Sequence, residues 1–190
     1  MAVAPSPLAV IPLALDATAL LDVLERVLHP SPTEWIFFRE LRVGTGYRSS
    51  AAQRLDAFAL NCLPHSGMRR VCYELKTSRA DFLCELKHPL KRRIGMRYSN
   101  EFYFVTPVGL LDCSEIPVEC GLIEIERSFP NVVVPAPWRD TPGPTWQFMA
   151  AMLRNQRRRF EERPPAQPKQ LRISFLAEGE PLKAPSEMSG

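Results

Sequence analysis

The amino-acid sequence predicts an α/β protein in which a central mixed β-sheet is flanked by helices. Segments with apolar residues at helical spacing alternate along the chain with short aromatic and aliphatic runs, which is typical of a sheet covered by helices. The predicted order of elements is helix, strand, two strands of a hairpin, helix and strand (α-β-β-β-α-β). The 190 residues, 45% of them hydrophobic, suffice for one domain with tails, whereas two full domains would be cramped.

The first half of the chain predicts one helix and three strands. Residues 17–29 carry leucines and valines at helical spacing, which indicates the helix. Residues 35–43 are rich in aromatic and aliphatic side chains and predict the first strand. Two further strand-like runs, 54–63 and 69–76, are separated by the turn-forming residues 64–67, so we expect them to pair as a hairpin.

The second half of the chain begins with a predicted helix over residues 79–96. Ser78 is suited to be its N-cap, and Asp81 in the first turn favours the helix end. Pro89 falls inside this helix, so we expect a break or kink just before it. The remaining predicted elements are two short strands and a third helix, at 101–106, 121–126 and 145–163.

These elements divide the chain into four parts. The expected parts are a flexible N-terminal arm (1–15), a core (16–128), a Pro-rich connector with a basic C-terminal helix (129–163), and a Pro-rich, disordered tail (164–190). Within the tail, residues 171–176 could form a lone strand.

Positive charge is concentrated in two places along the chain. The formal net charge is only +3, yet residues 68–97 hold nine basic residues against three acidic ones. Five arginines form a second group between residues 154 and 163. Such groups can neutralise phosphates, although solvated helix faces account for them equally well.

The cysteines and the hydropathy pattern bear on the cellular environment. The five cysteines are odd in number and include no C-x-x-C pair, which fits neither a disulfide framework nor a zinc site. Reduced thiols in a cytoplasmic protein are the simplest interpretation. No apolar run approaches the roughly 20 residues needed to cross a bilayer, so we expect no membrane segment.

The predicted hairpin carries two acids and a lysine. Side chains two residues apart on a strand project from the same face, so Glu74 and Lys76 are expected to point together. Asp56 lies on the partner strand and would face Glu74 if the register permits. Two carboxylates and one backbone carbonyl, that of Leu75, are sufficient for Mg²⁺ or Mn²⁺. A plain cross-strand ion pair is the alternative interpretation of these residues.

The order of these motifs resembles that of the PD-(D/E)XK, or restriction-endonuclease-like, nucleases: an acid on one strand, E-x-K on the next, then a helix. The residues around the motifs are similar to the MmcB group of DNA-repair-associated proteins, in the segments 54–60 (RLDAFAL), 73–82 (YELKTSRADF) and 102–107 (FYFVTP). The resemblance covers about Leu41 to Glu126. Thr77-Ser78 stands where that group has two serines.

This resemblance implies a restriction-endonuclease-like core and a Mg²⁺-dependent or Mn²⁺-dependent endonuclease. Asp56 and Glu74 would be metal ligands, and Lys76 the catalytic lysine. Nucleases of this kind often add a glutamate from the first helix, for which Glu25 is the candidate and Glu40, on the first strand, is the rival; neither sits in a distinctive motif, so the position stays open.

DNA is the partner that the resemblance implies. The candidate nucleic-acid-binding residues are Arg42, Thr45, Ser78, Arg79, Lys87, Lys91 and Arg92. The expected function is hydrolysis of phosphodiester bonds in DNA repair, recombination or mobile-element processing. A non-catalytic DNA-binding or scaffolding module with the same fold is the alternative, and a protein-interaction domain is a third. Whether the protein forms a homodimer, and whether it binds a repair protein, are questions that the sequence leaves open.

Overall fold

The computed structural model describes residues 15–43 and 53–162 of the chain. Several predictions lie outside the described residues: the arm up to residue 14, the DNA contact at Thr45, and the tail with its possible strand at 171–176. None of the helices within the described ranges is both long and apolar enough to cross a lipid bilayer.

The described residues form a six-stranded sheet with helices on both faces. The strands are β1 (Trp35–Val43), β2 (Gln53–Asn61), β3 (Arg70–Leu75), β4 (Glu101–Pro107), β5 (Gly121–Glu126) and β6 (Phe129–Val134). The α-helices are α1 (Ala17–Val23), α2 (Arg79–Leu86), α3 (Arg93–Tyr98) and α4 (Trp146–Glu162). A π-helical turn (Leu24–Leu28) extends α1, and 3-10 turns lie at Pro64–Ser66, Pro89–Arg92 and Cys113–Glu115.

The strands stand in the sheet in the order in which they occur in the chain, β1 to β6. The central strands β3, β4 and β5 run parallel to one another. The pairs β1–β2, β2–β3 and β5–β6 are antiparallel. The predicted mixed sheet flanked by helices and the predicted β2–β3 hairpin are therefore confirmed.

Each face of the sheet has its own hydrophobic core. On one face, aromatic side chains of the strands pack with those of the helices; this cluster includes Phe58, Phe102, Phe104, Phe82 of α2 and Phe148 of α4. On the other face, α1 and its π-helical extension cover a cluster that includes Leu20, Leu24, Tyr73, Val105 and Ile123. Because both faces are covered, the central strands are apolar on both sides.

The helix predicted over 79–96 is broken at the expected place. α2 ends at Leu86, and a 3-10 turn begins at Pro89 and leads directly into α3. Proline has no N–H to donate and its ring clashes with the preceding turn, so a continuous helix cannot pass through residue 89.

The core does not end at residue 128, where the sequence placed its boundary. β6 extends the sheet by pairing with β5, and Phe148 of α4 is buried in the first core cluster. The turn between β5 and β6 consists of Arg127 and Ser128, both with positive φ (47° and 76°). That conformation favours Gly, Asn or Asp, so the sequence carries no hairpin signal here. Pro130 is compatible with β6 because this strand lies at the edge of the sheet.

Helix α4 also covers the opposite edge of the sheet. Asn155 Nδ2 donates to the carbonyl of Arg39 at 2.9 Å. Gln156 Nε2 and Arg159 Nη1 donate to the carbonyl of Phe37, at 3.3 and 2.7 Å. β1 is an edge strand, so these carbonyls point away from the sheet, and the side chains of α4 supply the hydrogen bonds that a neighbouring strand would otherwise donate.

Candidate active site

A cavity of about 550 Å³ opens where β3 ends and α2 begins. Ionisable side chains from three strands and the segment 76–91 line it: Glu40, Arg54, Asp56, Glu74, Lys76, Asp81, Glu85 and Lys91. The structure therefore brings together Asp56, Glu74 and Lys76, the three residues on which the sequence prediction depended.

Asp56 and Glu74 meet because of the hairpin register. The ladder between β2 and β3 ends at the pair Ala57–Tyr73, and one step further Asp56 stands opposite Glu74. At this position a side chain takes the place of a backbone acceptor: Asp56 Oδ2 accepts a hydrogen bond from the N–H of Leu75 at 3.0 Å. Burial raises the pKa of Asp56, although this hydrogen bond and the Lys76 charge act against the rise.

Lys76 is buried among three carboxylates. Its Nζ lies 3.0 Å from Glu74 Oε1, 3.3 Å from Asp81 Oδ2 and 3.6 Å from Glu85 Oε2, and its side chain is only 4% exposed. Burial alone would lower the pKa of Lys76, but the surrounding carboxylates raise it above its ordinary value. The surrounding carboxylates therefore favour the charged form of Lys76 in the lining of the cavity.

Glu74 has an unusually high proton affinity. Burial and the neighbouring Asp56 carboxylate raise its pKa to about 7, while Lys76 acts in the opposite direction. A carboxyl group in this range is half-protonated near neutral pH. A cation that binds there would displace the proton, so its affinity would be pH-dependent.

The cavity carries an excess of negative charge. Its five carboxylates (Glu40, Asp56, Glu74, Asp81 and Glu85) outnumber its three cationic groups (Arg54, Lys76 and Lys91) by two formal charges. In addition, Glu85 Oε1 is buried without a hydrogen-bond partner. Oxygen donors and an excess of two negative charges suit one hard divalent cation. Across residues 15–43 and 53–162, however, no three His, Cys, Asp or Glu side chains form a ready-made metal-ligand set.

The structure separates the two glutamates that the sequence left as alternatives. Glu25 does not line the cavity: its carboxylate is 2.6 Å from Arg39 and 2.8 Å from Arg159. Burial raises its pKa, but Arg159 and Arg39 together lower it below the ordinary value. Glu25 thus ties the π-helical extension of α1 to β1 and α4, which is a structural role. Its candidacy as an acid of the site is not supported.

Glu40, in contrast, lines the cavity and has a strained backbone. Its φ is +50°, in the left-handed region that glutamate rarely adopts. The β1–β2 ladder pairs Arg39 with Ala57 and Leu41 with Leu55, and the pairing is interrupted between them, where Glu40 stands opposite Asp56. The irregular backbone therefore coincides with the two acids, a coincidence that is common at functional sites.

Some of the candidate DNA-binding residues are exposed, and others are occupied within the fold. The prediction that Arg92 binds DNA is wrong: its side chain is 4% exposed, and its Nη1 donates to the backbone carbonyl of Glu85 at 3.2 Å. It is part of the core because the break at Pro89 turns it inward. Arg79 is bound by both carboxylate oxygens of Glu115, and Ser78 accepts from the N–H of Asp81 as the N-cap of α2. Arg42, Lys87 and Lys91 are exposed.

Asp81 and Glu85 were not predicted from the sequence to be residues of the candidate site. Asp81 was expected only to favour the helix end, and Glu85 was assigned no role. The signal was available, because Asp81 and Glu85 are four residues apart and therefore share a face of the helix that follows the E-x-K motif. Which way that face points depends on tertiary packing, which the sequence pattern does not contain.

Comparisons with known proteins support the fold only. No protein-family profile matches the chain, and no curated protein matches it either. Among solved structures, the fold is similar to that of the SPO1766 protein of unknown function from Silicibacter pomeroyi. The two share 17% sequence identity, with a TM-score of 0.55 over 79% of this chain and 90% of that chain. Likeness at this level of identity concerns architecture and not activity.

Proposed function

We propose that this chain is a Mg²⁺-dependent or Mn²⁺-dependent deoxyribonuclease with a restriction-endonuclease-like core, which hydrolyses phosphodiester bonds. The observation that carries the proposal is the convergence of Asp56, Glu74 and Lys76 on one cavity with an excess of negative charge. A simple cross-strand ion pair would need one acid and one base, and it would not require three carboxylates around a buried lysine in a cavity lined by five.

Each residue has a distinct role in this proposal. Asp56 and Glu74 would hold the cation, together with the backbone carbonyl of Leu75, a residue that also lines the cavity. When bound, the cation would polarise the scissile phosphate and lower the pKa of a water molecule. Lys76 would orient the attacking water or stabilise the negative charge that develops on the phosphate.

The exposed basic side chains would hold the DNA backbone beside the cavity. Lys91 lines the cavity itself, and Lys87, just past the end of α2, is also exposed. Neither lysine is in an ion pair within the described part of the chain, so both are free to neutralise a phosphate. Arg42, on β1, is a third exposed candidate.

The test combines cation binding with cleavage. Mg²⁺ and Mn²⁺ are titrated by calorimetry into the wild-type protein and into Asp56→Asn and Glu74→Gln, and nicking is followed on plasmid and branched DNA. We expect cation binding and metal-dependent cleavage in the wild type; in each variant, cation binding should be strongly weakened and cleavage lost. Salt-sensitive DNA binding without cleavage in either metal would instead support the non-catalytic DNA-binding module. Undiminished cleavage in both variants would overturn the proposed site.

A further inference from the structure

Glu85 is an acid that the roles above leave unused. It lies in the last turn of α2, its side chain is 4% exposed, and it lines the same cavity as Glu74. Its Oε2 is 3.6 Å from Lys76 Nζ, whereas its Oε1 has no hydrogen-bond partner. A buried carboxylate oxygen without a partner is costly, so its retention calls for a physical reason.

The proposed cation site creates a conflict over Glu74. Its Oε1 is the closest carboxylate oxygen to Lys76, at 3.0 Å. A cation bound to either oxygen of Glu74 would lie close to the Lys76 ammonium group and repel it strongly. Lys76 is almost fully buried, so its ammonium group needs a carboxylate partner in place when Glu74 turns to a cation. An unpaired ammonium in such a place would be strongly destabilising.

We propose that Glu85, assisted by Asp81, is the positioning residue that holds Lys76 once Glu74 binds a cation. The inference rests on the proposed function and deepens it. Glu85 Oε1 accepts no hydrogen bond and can take one from the ammonium group, and Asp81 Oδ2 already lies 3.3 Å from Lys76 Nζ. Arg92 keeps this end of α2 in place, since its Nη1 donates to the Glu85 carbonyl and lies 4.0 Å from Glu85 Oε1.

The test is a double-mutant cycle on Mn²⁺ affinity, measured by calorimetry with no DNA present. Glu85→Gln should weaken Mn²⁺ binding by roughly tenfold, in the range typical of residues that orient metal ligands. If Glu85 acts through Lys76, the same substitution should weaken Mn²⁺ binding much less in a Lys76→Met background, because only the lost cavity charge counts there and no ammonium competes for Glu74.

Glu40→Gln is the matched control. Glu40 lines the same cavity and carries the same charge, but its nearest ion-pair partner is Arg54 at 3.5 Å and not Lys76. A change in overall cavity charge would weaken Mn²⁺ binding equally in both backgrounds. Glu40→Gln should therefore weaken Mn²⁺ binding to the same extent with and without Lys76→Met, whereas the effect of Glu85→Gln should become smaller in Lys76→Met. Asp81→Asn, at an exposed position, serves as a second variant should Glu85→Gln unfold.

A spectroscopic measurement follows Lys76 directly. Nitrogen-15 labelling makes the ammonium group of a lysine visible when hydrogen bonds slow its exchange with water. We expect the Lys76 signal to persist in the wild type when Mn²⁺ is replaced by diamagnetic Mg²⁺ at saturation, and to vanish under the same conditions in Glu85→Gln.

The outcomes separate this inference from the proposed function. If the wild type binds Mn²⁺ and cleaves DNA, but Glu85→Gln weakens binding equally in both backgrounds, only the role of Glu85 fails. If the wild type binds Mn²⁺ and the cycle shows coupling without any cleavage, the role of Glu85 stands and the nuclease activity fails. Absence of Mn²⁺ binding in the wild type would overturn both.

Discussion

The carboxylate of Asp56 accepts a hydrogen bond from the backbone N–H of Leu75, at 3.0 Å, just beyond the last backbone pair of the β2–β3 ladder. One oxygen of Asp56 therefore completes the sheet, while the other is 3.8 Å from Arg54 Nη2 at the cavity. The same side chain is a structural element and a candidate cation ligand, and substitutions can separate these two roles.

Asp56→Asn and Asp56→Ala should have different effects on folding. The amide oxygen of asparagine can still accept from Leu75, so Asp56→Asn should retain most of the stability but lose at least about tenfold in Mn²⁺ affinity. Asp56→Ala leaves the Leu75 N–H without an acceptor and should cost about 1–3 kcal/mol in addition. Urea denaturation and calorimetry measure the two effects. Wild-type Mn²⁺ affinity in Asp56→Asn would contradict the assignment of this ligand.

Mn²⁺ affinity should increase as the pH rises through neutrality. A cation needs the ionised form of Glu74, whose pKa burial and Asp56 raise to about 7. Between pH 6 and pH 8 the ionised fraction grows by about tenfold, and the Mn²⁺ association constant should grow with it. Calorimetric titrations at a series of pH values check this, and a flat profile over that interval would contradict it.

The same group should make the metal-free protein less stable at higher pH. Because the pKa of Glu74 is raised from 4.5 to about 7 on folding, the folded state holds a proton in this window that the unfolded chain has lost. Stability contributed by Glu74 therefore falls as the pH rises from about 4.5 to 7. Comparing urea denaturation of the wild type and Glu74→Gln across this range isolates the effect, since the variant lacks the titrating group.

The sequence was sufficient for the hairpin and for the three central site residues. Alternating apolar and charged residues at 73–76 and the turn formers at 64–67 are local signals, and the register of the hairpin then brings Asp56 opposite Glu74. The buried positions of Glu85 and Arg92 could not be predicted from local sequence. Both belong to a segment that looks like a solvated basic helix, and only the packing of α2 on the sheet decides which charges turn inward.

Lys91→Ala and Arg92→Ala should differ in kind, although the residues are neighbours. Lys91 is exposed at the cavity, so its removal should leave stability nearly unchanged and lower the salt dependence of DNA binding by about one unit of slope. Arg92 is buried against Glu85, so Arg92→Ala should destabilise the fold by about 3 kcal/mol. Equal effects of both variants on stability would contradict the inward position of Arg92.

Gly121→Ala should destabilise the sheet because there is no space for a methyl group. A Cβ at this position would overlap the ring of Tyr103 on β4 and come within 2.6 Å of the backbone nitrogen of Ala136. Overpacking of this kind costs about 1–3 kcal/mol. Gly143→Ala is the control, because nothing lies within 4 Å of its added Cβ. Thermal denaturation of both variants checks the difference.

Strand β6 was not predicted from the sequence, which assigned these residues to a connector. Its turn uses Arg127 and Ser128 at positive φ, and its second residue is Pro130, so local propensity argued for a connector. Pairing with β5 outweighs these preferences. Tertiary contacts of this type commonly override local propensity at the margins of a domain.

The contacts of α4 with β1 have a consequence for biosynthesis. Asn155 and Arg159 reach carbonyls that lie 116 and 122 residues earlier in the chain. During translation, β1 therefore leaves the ribosome long before the side chains that protect it. Until α4 follows, this edge can pair with a strand of another nascent chain, so the period of greatest risk for aggregation belongs to synthesis and not to the mature fold.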